Sequence, residues 1–191
     1  MIYPIVAYGH TVLRQKAVDI TPDYPDLHQF LADLWETMYA TDGIGLAAPQ
    51  VNRSIRIFVI DANVLAKNYP ETVGFKKTFI NANKLKEEGD IWLFNEGCLS
   101  IPDIHEDIAR PKRILLRYFD ENFNQHEEWF EGGAARIIQH EYDHLEGILF
   151  TDYLSPMRKT MLARKLNNIA QGNIEVPYKM IFPRMKKQNR K

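Results

Sequence analysis

Residues 139–147 read QHEYDHLEG, two histidines four positions apart with a glutamate directly after the first. At about 100° per residue, an α-helix sets His140 and His144 about 40° apart around its axis and one turn apart along it, so both imidazoles reach one point. Glu141 stands about 100° around from His140, able to lean over that point without joining the ligands. A His-Glu-x-x-His helix of this kind combines two metal ligands with one general base. Ile137 shares the face of the two histidines, which sets them beside apolar surface; the plainer alternative is a pair of polar residues on a wet helix flank.

The flanking sequence supports a helix here. Ala134 to Leu145 contains no breaker, Gly147 supplies a stop, and the pair Gly132 and Gly133 separates the helix from RILLRYFD (113–120), ENFNQ (121–125) and HEEWFE (126–131), which read as a hairpin. Further upstream, Leu27, Phe30, Leu31, Leu34, Trp35 and Met38 recur at helical spacing and predict a helix over 26–41. DGIGLAAPQ (42–50) breaks it, and IRIFVI (55–60) follows as an apolar, β-branched strand. Residues 61–76 read as a polar surface loop, with strands at 77–81 and 84–93. Ser155 and Pro156 open a last helix over 156–170 that Gly172 ends. Beyond it, VPYKMIFPRMKKQNRK (176–191) carries six basic residues and no acidic one, a pattern read as a mobile basic tail over 173–191 behind one domain over 1–172.

Composition narrows the function classes. A chain of 191 residues with 45% hydrophobic and 26% charged side chains suits one globular domain. Its 24 basic and 25 acidic residues give a net charge of -1, so no overall field favours DNA or anionic lipid. The N-terminal MIYPIVAYGH has no basic leader, and no run approaches a membrane span, so neither secretion nor a membrane is expected. A single cysteine, Cys98, excludes an internal disulfide and suits a reducing compartment; the expected location is the cytoplasm.

A metal on the helix needs a third ligand. No histidine follows His144, Glu146 is too close to aim back from the same helix, and Glu175 lies beyond the last helix. Cys98, in NEGCLSIP, is the better candidate because a thiolate binds divalent transition metals strongly, although a lone cysteine is more often buried and inert.

Three blocks in order, GIGLAAPQ (43–50), EGCLS (96–100) and QHEYDHLEG (139–147), resemble peptide deformylases, and YGHTVLRQKA near the N-terminus extends the likeness over about residues 2–172. The resemblance implies an α+β fold in which antiparallel sheets surround a central metal-binding helix, flanked by an N-terminal and a C-terminal helix. It also implies removal of formyl from the N-terminal formylmethionine of nascent peptides. Carried onto this chain, Cys98, His140 and His144 bind the metal and Glu141 is the acid/base. The Gln50 amide and the Leu99 backbone N–H face the developing oxyanion, and the backbone around Gly45 pairs with the substrate as an added strand. Formamide hydrolysis is consistent with these roles: three protein ligands leave a position for a water whose pKa falls toward 7, and when the formyl carbon is attacked, preset donors stabilise the charge that builds on its oxygen.

The donor set by itself favours zinc, whereas the resemblance implies Fe2+, with Zn2+, Ni2+ or Co2+ as substitutes. Members usually carry a bulky apolar residue where this chain has Gly133. With Ile44, Phe94 and Ile137, position 133 is expected to border the methionine pocket, which is then either opened or filled by another segment. Glu96 and Arg110 are expected to pair behind the EGCLS loop, while Asp143 and Gln139 either orient the histidines or face water. Arg158, Lys159, Arg164 and Lys165 add positive charge to the last helix and, with the tail, offer a route to the ribosome; a frayed helix end is the simpler reading. Two rival functions, a zinc metallopeptidase and a catalytically silent ribosome-docking relative, are disfavoured respectively by Cys98 and by the intact Glu141 and Gln50.

Overall fold

The computed structural model describes residues 1–183. Among these residues are three α-helices: α1 (Leu27–Ala40), α2 (Gly132–Leu145) and α3 (Pro156–Ala170). Strands β2 (Gly45–Ala47), β3 (Ile57–Asp61), β4 (Lys76–Cys98), β5 (Ile101–Phe119) and β6 (Gln125–Glu131) form one antiparallel sheet in sequence order. A second sheet pairs β1 (Ile5–Val6) with β7 (Met180–Ile181), and this pairing is parallel.

The hairpin and the three helices lie where local pattern placed them, but the two strands expected at 77–81 and 84–93 are parts of one 23-residue strand. Its register with β5 slips between Ile80 and Asn83, at the predicted gap, and again at three points further on. The first three slips each add one unpaired residue on β4 and the last leaves unpaired residues on β5 between Ile101 and His105, and in every case pairing resumes instead of ending. The bent sheet packs against α2 along β2, β3, β4, β5 and β6. Phe58, Phe79, Ile114, Leu116 and Phe130 from the strands meet Ala135, Ile138 and Leu145 of the helix in one apolar cluster.

Helix α2 is therefore enclosed on nearly every side, although half its residues are polar or ionisable. Arg136, Gln139, His140, Glu141, Asp143 and His144 are all buried. Burial of such groups is tolerable only when each finds a partner, and those partners build the site described below.

The segment read as a tail begins differently from that expectation. Residues 173–183 lie along the domain: Ile5 N–H donates to Lys179 O at 2.8 Å and Ala7 N–H to Ile181 O at 2.8 Å. The basic count hid an alternation of Ile174, Val176 and Tyr178, each half-buried between exposed neighbours and continued by half-buried Met180, which is the period of a strand with one packed face. The remainder of that segment, residues 184–191, lies outside the described residues.

Candidate active site

Strand β4 alternates cleanly as it approaches Cys98. Ile91, Leu93 and Asn95 are exposed, whereas Trp92, Phe94, Glu96 and Cys98 point to the side of α2. One strand thus delivers an aromatic wall, a carboxylate and a thiol to the same helix. Ligand atoms of Cys98, His140 and His144 all lie within 4.8 Å of one another, with Cys98 Sγ 3.4 Å from His144 Nε2. A thiol and two imidazoles so close together, with no other strong partner for Sγ, suit one divalent transition metal.

Glu96 organises the surroundings. Its carboxylate accepts from Arg110 Nε at 2.8 Å and Nη2 at 3.0 Å, lies 3.0 Å from His140 Nδ1, and receives Arg136 Nη1 at 3.2 Å. Binding His140 through Nδ1 turns its Nε2 toward the thiol, the arrangement by which an outer carboxylate fixes a metal-binding imidazole. Burial pushes the Glu96 carboxyl up, but hydrogen bonds with His140 and Arg110 outweigh it and hold the group at about 2. Arg110 also donates to Asp143 at 2.6 Å, and Asp143 accepts from the Tyr153 hydroxyl at 2.9 Å. The expected Glu96–Arg110 pair is therefore formed, and neither Asp143 nor Gln139 touches a ligand histidine by hydrogen bond: Gln139 bonds Pro111 O and Glu87.

Arg136 is the participant that sequence reasoning missed. It is fully buried, donates to Ile108 O at 2.6 Å and Trp92 O at 2.9 Å, and lies over the Trp92 ring at 4.7 Å. Its position four residues before His140 was the available signal, since i and i+4 share a helix face. A guanidinium on the metal face requires an acid nearby, and Glu96 is that acid.

Glu141 is buried against Gly45. A Cβ at position 45 would stand 2.5 Å from Glu141 Oε1, so only glycine lets the carboxylate lie there. Glu141 Oε2 is buried with no hydrogen-bond partner among the described residues, and burial lifts the carboxyl to about 7 against the opposing pull of His140. Gln50 is pinned by its own carbonyl, which accepts Ala47 N–H at 2.8 Å; this aims Nε2 at Cys98 Sγ and Ser100 Oγ, each at 3.5 Å. A cleft of about 640 Å³ opens over these groups, with Ile44, Phe94 and Ile137 among its apolar lining and with Gly45 and Leu99 also lining it. Strand β2, which carries Gly45, is the terminal strand of the sheet and presents a backbone edge to that cleft.

Gly133 sits elsewhere than the pocket surface. It does not line the cleft; a Cβ there would meet Tyr69 Cγ at 2.9 Å, so the Tyr69 ring occupies the space a larger residue would take. The ring lies 5.8 Å from Phe94 and 5.9 Å from Trp92, and Leu65 of the same segment reaches the cleft. Two residues on, Glu71 accepts Gly133 N–H at 2.8 Å, capping α2 with a carboxylate where unpaired amides and the helix dipole favour one. The stretch expected to be an ordinary surface loop thus holds the start of α2.

The family model for polypeptide deformylase matches residues 2–190. The chain belongs to that family. Peptide deformylase from Flavobacterium johnsoniae is 50% identical, with 98% of this chain and 99% of that protein covered, and the enzyme from Christiangramia forsetii is 48% identical over the same shares. The crystal structure of peptide deformylase from Thermotoga maritima superposes with a TM-score of 0.73 at 39% identity, covering 82% of this chain and 99% of that one. The enzyme removes the formyl group from the N-terminal formylmethionine of polypeptides, in a metal-dependent family, and carries a Cys/His/His group able to hold the ion. Among the described residues no helix is long and apolar enough to cross a membrane.

Proposed function

We propose that deformylation takes place over Cys98, His140 and His144, with Glu141 as the acid/base. The observation that carries this reading is the buried, unpartnered Glu141 oxygen beside the three convergent ligand atoms. A divalent metal held by the three would supply Lewis acidity and a nucleophile at neutral pH. Glu141 takes the proton released in the attack on the formyl carbon and returns it to the leaving amine, which is the shared role its raised pKa suits. Gln50 Nε2 and the Leu99 N–H donate to the oxygen that gains negative charge, and Gln50 is already immobilised by Ala47. The formylated peptide adds to the free edge of β2 at Gly45, so that its main chain is fixed before its side chain is read. The resident metal is Fe2+, as the family likeness implies, and Zn2+, Ni2+ or Co2+ substitute in the same soft donor set.

The methionine side chain enters among Ile44, Phe94 and Ile137, and Tyr69 stands in for the missing bulk at Gly133, so the pocket is closed rather than enlarged. Formate release from formyl-Met-Ala-Ser and formyl-Phe-Ala-Ser, measured with metal content, tests both points. We expect formate from the methionine peptide and a preference over phenylalanine of at least about tenfold, the scale of misfit in a shaped apolar pocket. No formate with iron bound would end the catalytic assignment, and equal turnover of the two peptides would end the closed pocket.

The reaction belongs to the cytoplasm, where nascent chains emerge, and the catalytic unit is a single domain. The ribosome is a further partner through α3, where Arg164 and Lys165 supply the charge; Arg158 is engaged by Glu106 at 2.6 Å and Lys159 by Asp152 O at 2.8 Å. Salt-sensitive co-sedimentation with ribosomes is the expected result, and no binding at low salt would exclude it.

A further inference from the structure

The turn that joins β4 to β5 consists of Leu99 and Ser100, directly after the ligand Cys98. Both of its carbonyls are held from outside the sheet. Ser100 O accepts Tyr8 N–H at 2.8 Å, and Leu99 O accepts the Tyr178 hydroxyl at 2.9 Å. Tyr8 follows β1 and Tyr178 precedes β7, and these two strands are paired with each other. The turn therefore hangs from a two-stranded clamp built by the two ends of the chain.

The clamp also reaches the cleft, where Glu175, Val176, Pro177 and Tyr178 form one wall. Packing holds it in place: Tyr178 and Met180 join the cluster around α1, while Ile174 and Ile181 join the cluster under α3. Phe182 closes over Gly172, whose left-handed backbone at φ +74° turns the chain back after α3.

This placement bears on the Leu99 amide. The peptide plane between Cys98 and Leu99 carries the N–H assigned above to the oxyanion, and its direction depends on the torsions at both ends. Cys98 is anchored on one side by its place among the metal ligands. On the other side, the Leu99 side chain packs toward Gly43, where a Cβ would lie 3.0 Å from Cδ1, and its carbonyl is tied to Tyr178. With both ends tethered, the plane between them keeps one orientation, and donors fixed in advance are those that stabilise a transition state without reorganising.

We propose that Tyr178 is a positioning residue for catalysis: its hydroxyl, bonded to the Leu99 carbonyl, keeps the Cys98–Leu99 N–H directed at the formyl oxygen that gains negative charge, and the segment over residues 173–183 is thereby part of the active site. This rests on the assignment of the Leu99 N–H as an oxyanion donor. Losing such a donor outright costs about 10²–10³-fold in kcat, so loosening one costs less, about tenfold.

The test uses the full-length metal-loaded enzyme and formyl-Met-Ala-Ser. Tyr178→Phe keeps the ring and deletes only the hydroxyl; we expect kcat to fall about tenfold with KM within about twofold and with melting temperature and metal content unchanged. A second arm replaces Leu99 by its α-hydroxy acid, which deletes the N–H, alone and together with Tyr178→Phe. If the hydroxyl acts through that N–H, the combined loss is no larger than the loss from the ester alone. Unchanged kcat in Tyr178→Phe overturns the positioning role, as does a loss of kcat matched by loss of metal. Losses that multiply in the combined variant overturn the route through Leu99. An ester at 99 as active as the natural chain removes the oxyanion role of Leu99 itself, separately from the Tyr178 result.

Discussion

Glu141→Gln is expected to lower kcat by about 10²–10⁴-fold while the metal and the fold remain in place. Glutamine fills the same volume against Gly45, where nothing larger than hydrogen is tolerated on the glycine, so packing is preserved. What is lost is the proton acceptor, the one buried carboxylate oxygen without a hydrogen-bond partner among the described residues. Burial lifts this carboxyl to about 7. A divalent cation at Cys98 favours the ionised form and lowers that value, so the acid limb of the pH–rate profile falls below 7. Because the carboxylate is the active form, kcat/KM rises with pH through that limb, and the limb disappears in the glutamine variant. Steady-state formate release across pH 5 to 8 reads both effects. A variant with full metal and wild-type kcat would exclude Glu141 as the acid/base.

Glu96→Ala should be the most damaging change to stability. Arg110, Arg136 and His140 all bond to Glu96, and truncation leaves Arg136 and His140 without a carboxylate, since only Arg110 retains one in Asp143. Removing one partner of a buried ionic group costs about 3–5 kcal/mol, because the remaining charge stays desolvated. His140 also loses the group that fixes its ring, so metal affinity should fall about 10–100-fold. Urea unfolding and metal titration measure the two losses separately. The sign of the pH dependence follows from a folded-state pKa of about 2 against the usual 4.5. Stabilisation by Glu96 is complete above the unfolded value and disappears as pH falls from about 4.5 toward 2, so wild type and variant should converge in stability in that window. A cost under about 1 kcal/mol at neutral pH would mean that the cluster contributes no more than surface pairs do.

These two residues differ in how far sequence could reach them. Glu141 belongs to a pattern whose geometry is local: four residues on a helix fix the relation of His140 to His144 wherever the helix lies. The same is true of α1 and α3, and of the β5–β6 hairpin, each set by periodicity and by turn or capping residues within a few positions. Glu96 was legible only as a candidate. Its partners lie 14, 40 and 44 residues away, and they meet only because β4 and β5 pair in one register with Trp92, Phe94, Glu96 and Cys98 all turned toward α2. A slip of one residue would have turned that set to solvent.

Sequence alone thus determined the helix that carries His140, Glu141 and His144, and with the family likeness Cys98 as its distant partner and the reaction, because short-range geometry and residue chemistry suffice for them. Tertiary structure decided the rest. It enclosed a helix rich in charge, which forced Arg136 onto Glu96. It put Tyr69 into the space above Gly133, where position in the chain offered no hint. It also drew Tyr178 out of an apparent basic tail onto the Leu99 carbonyl. Each of these depends on long-range register and on the requirement that buried polar groups be paired, and neither is written in any single stretch of the chain.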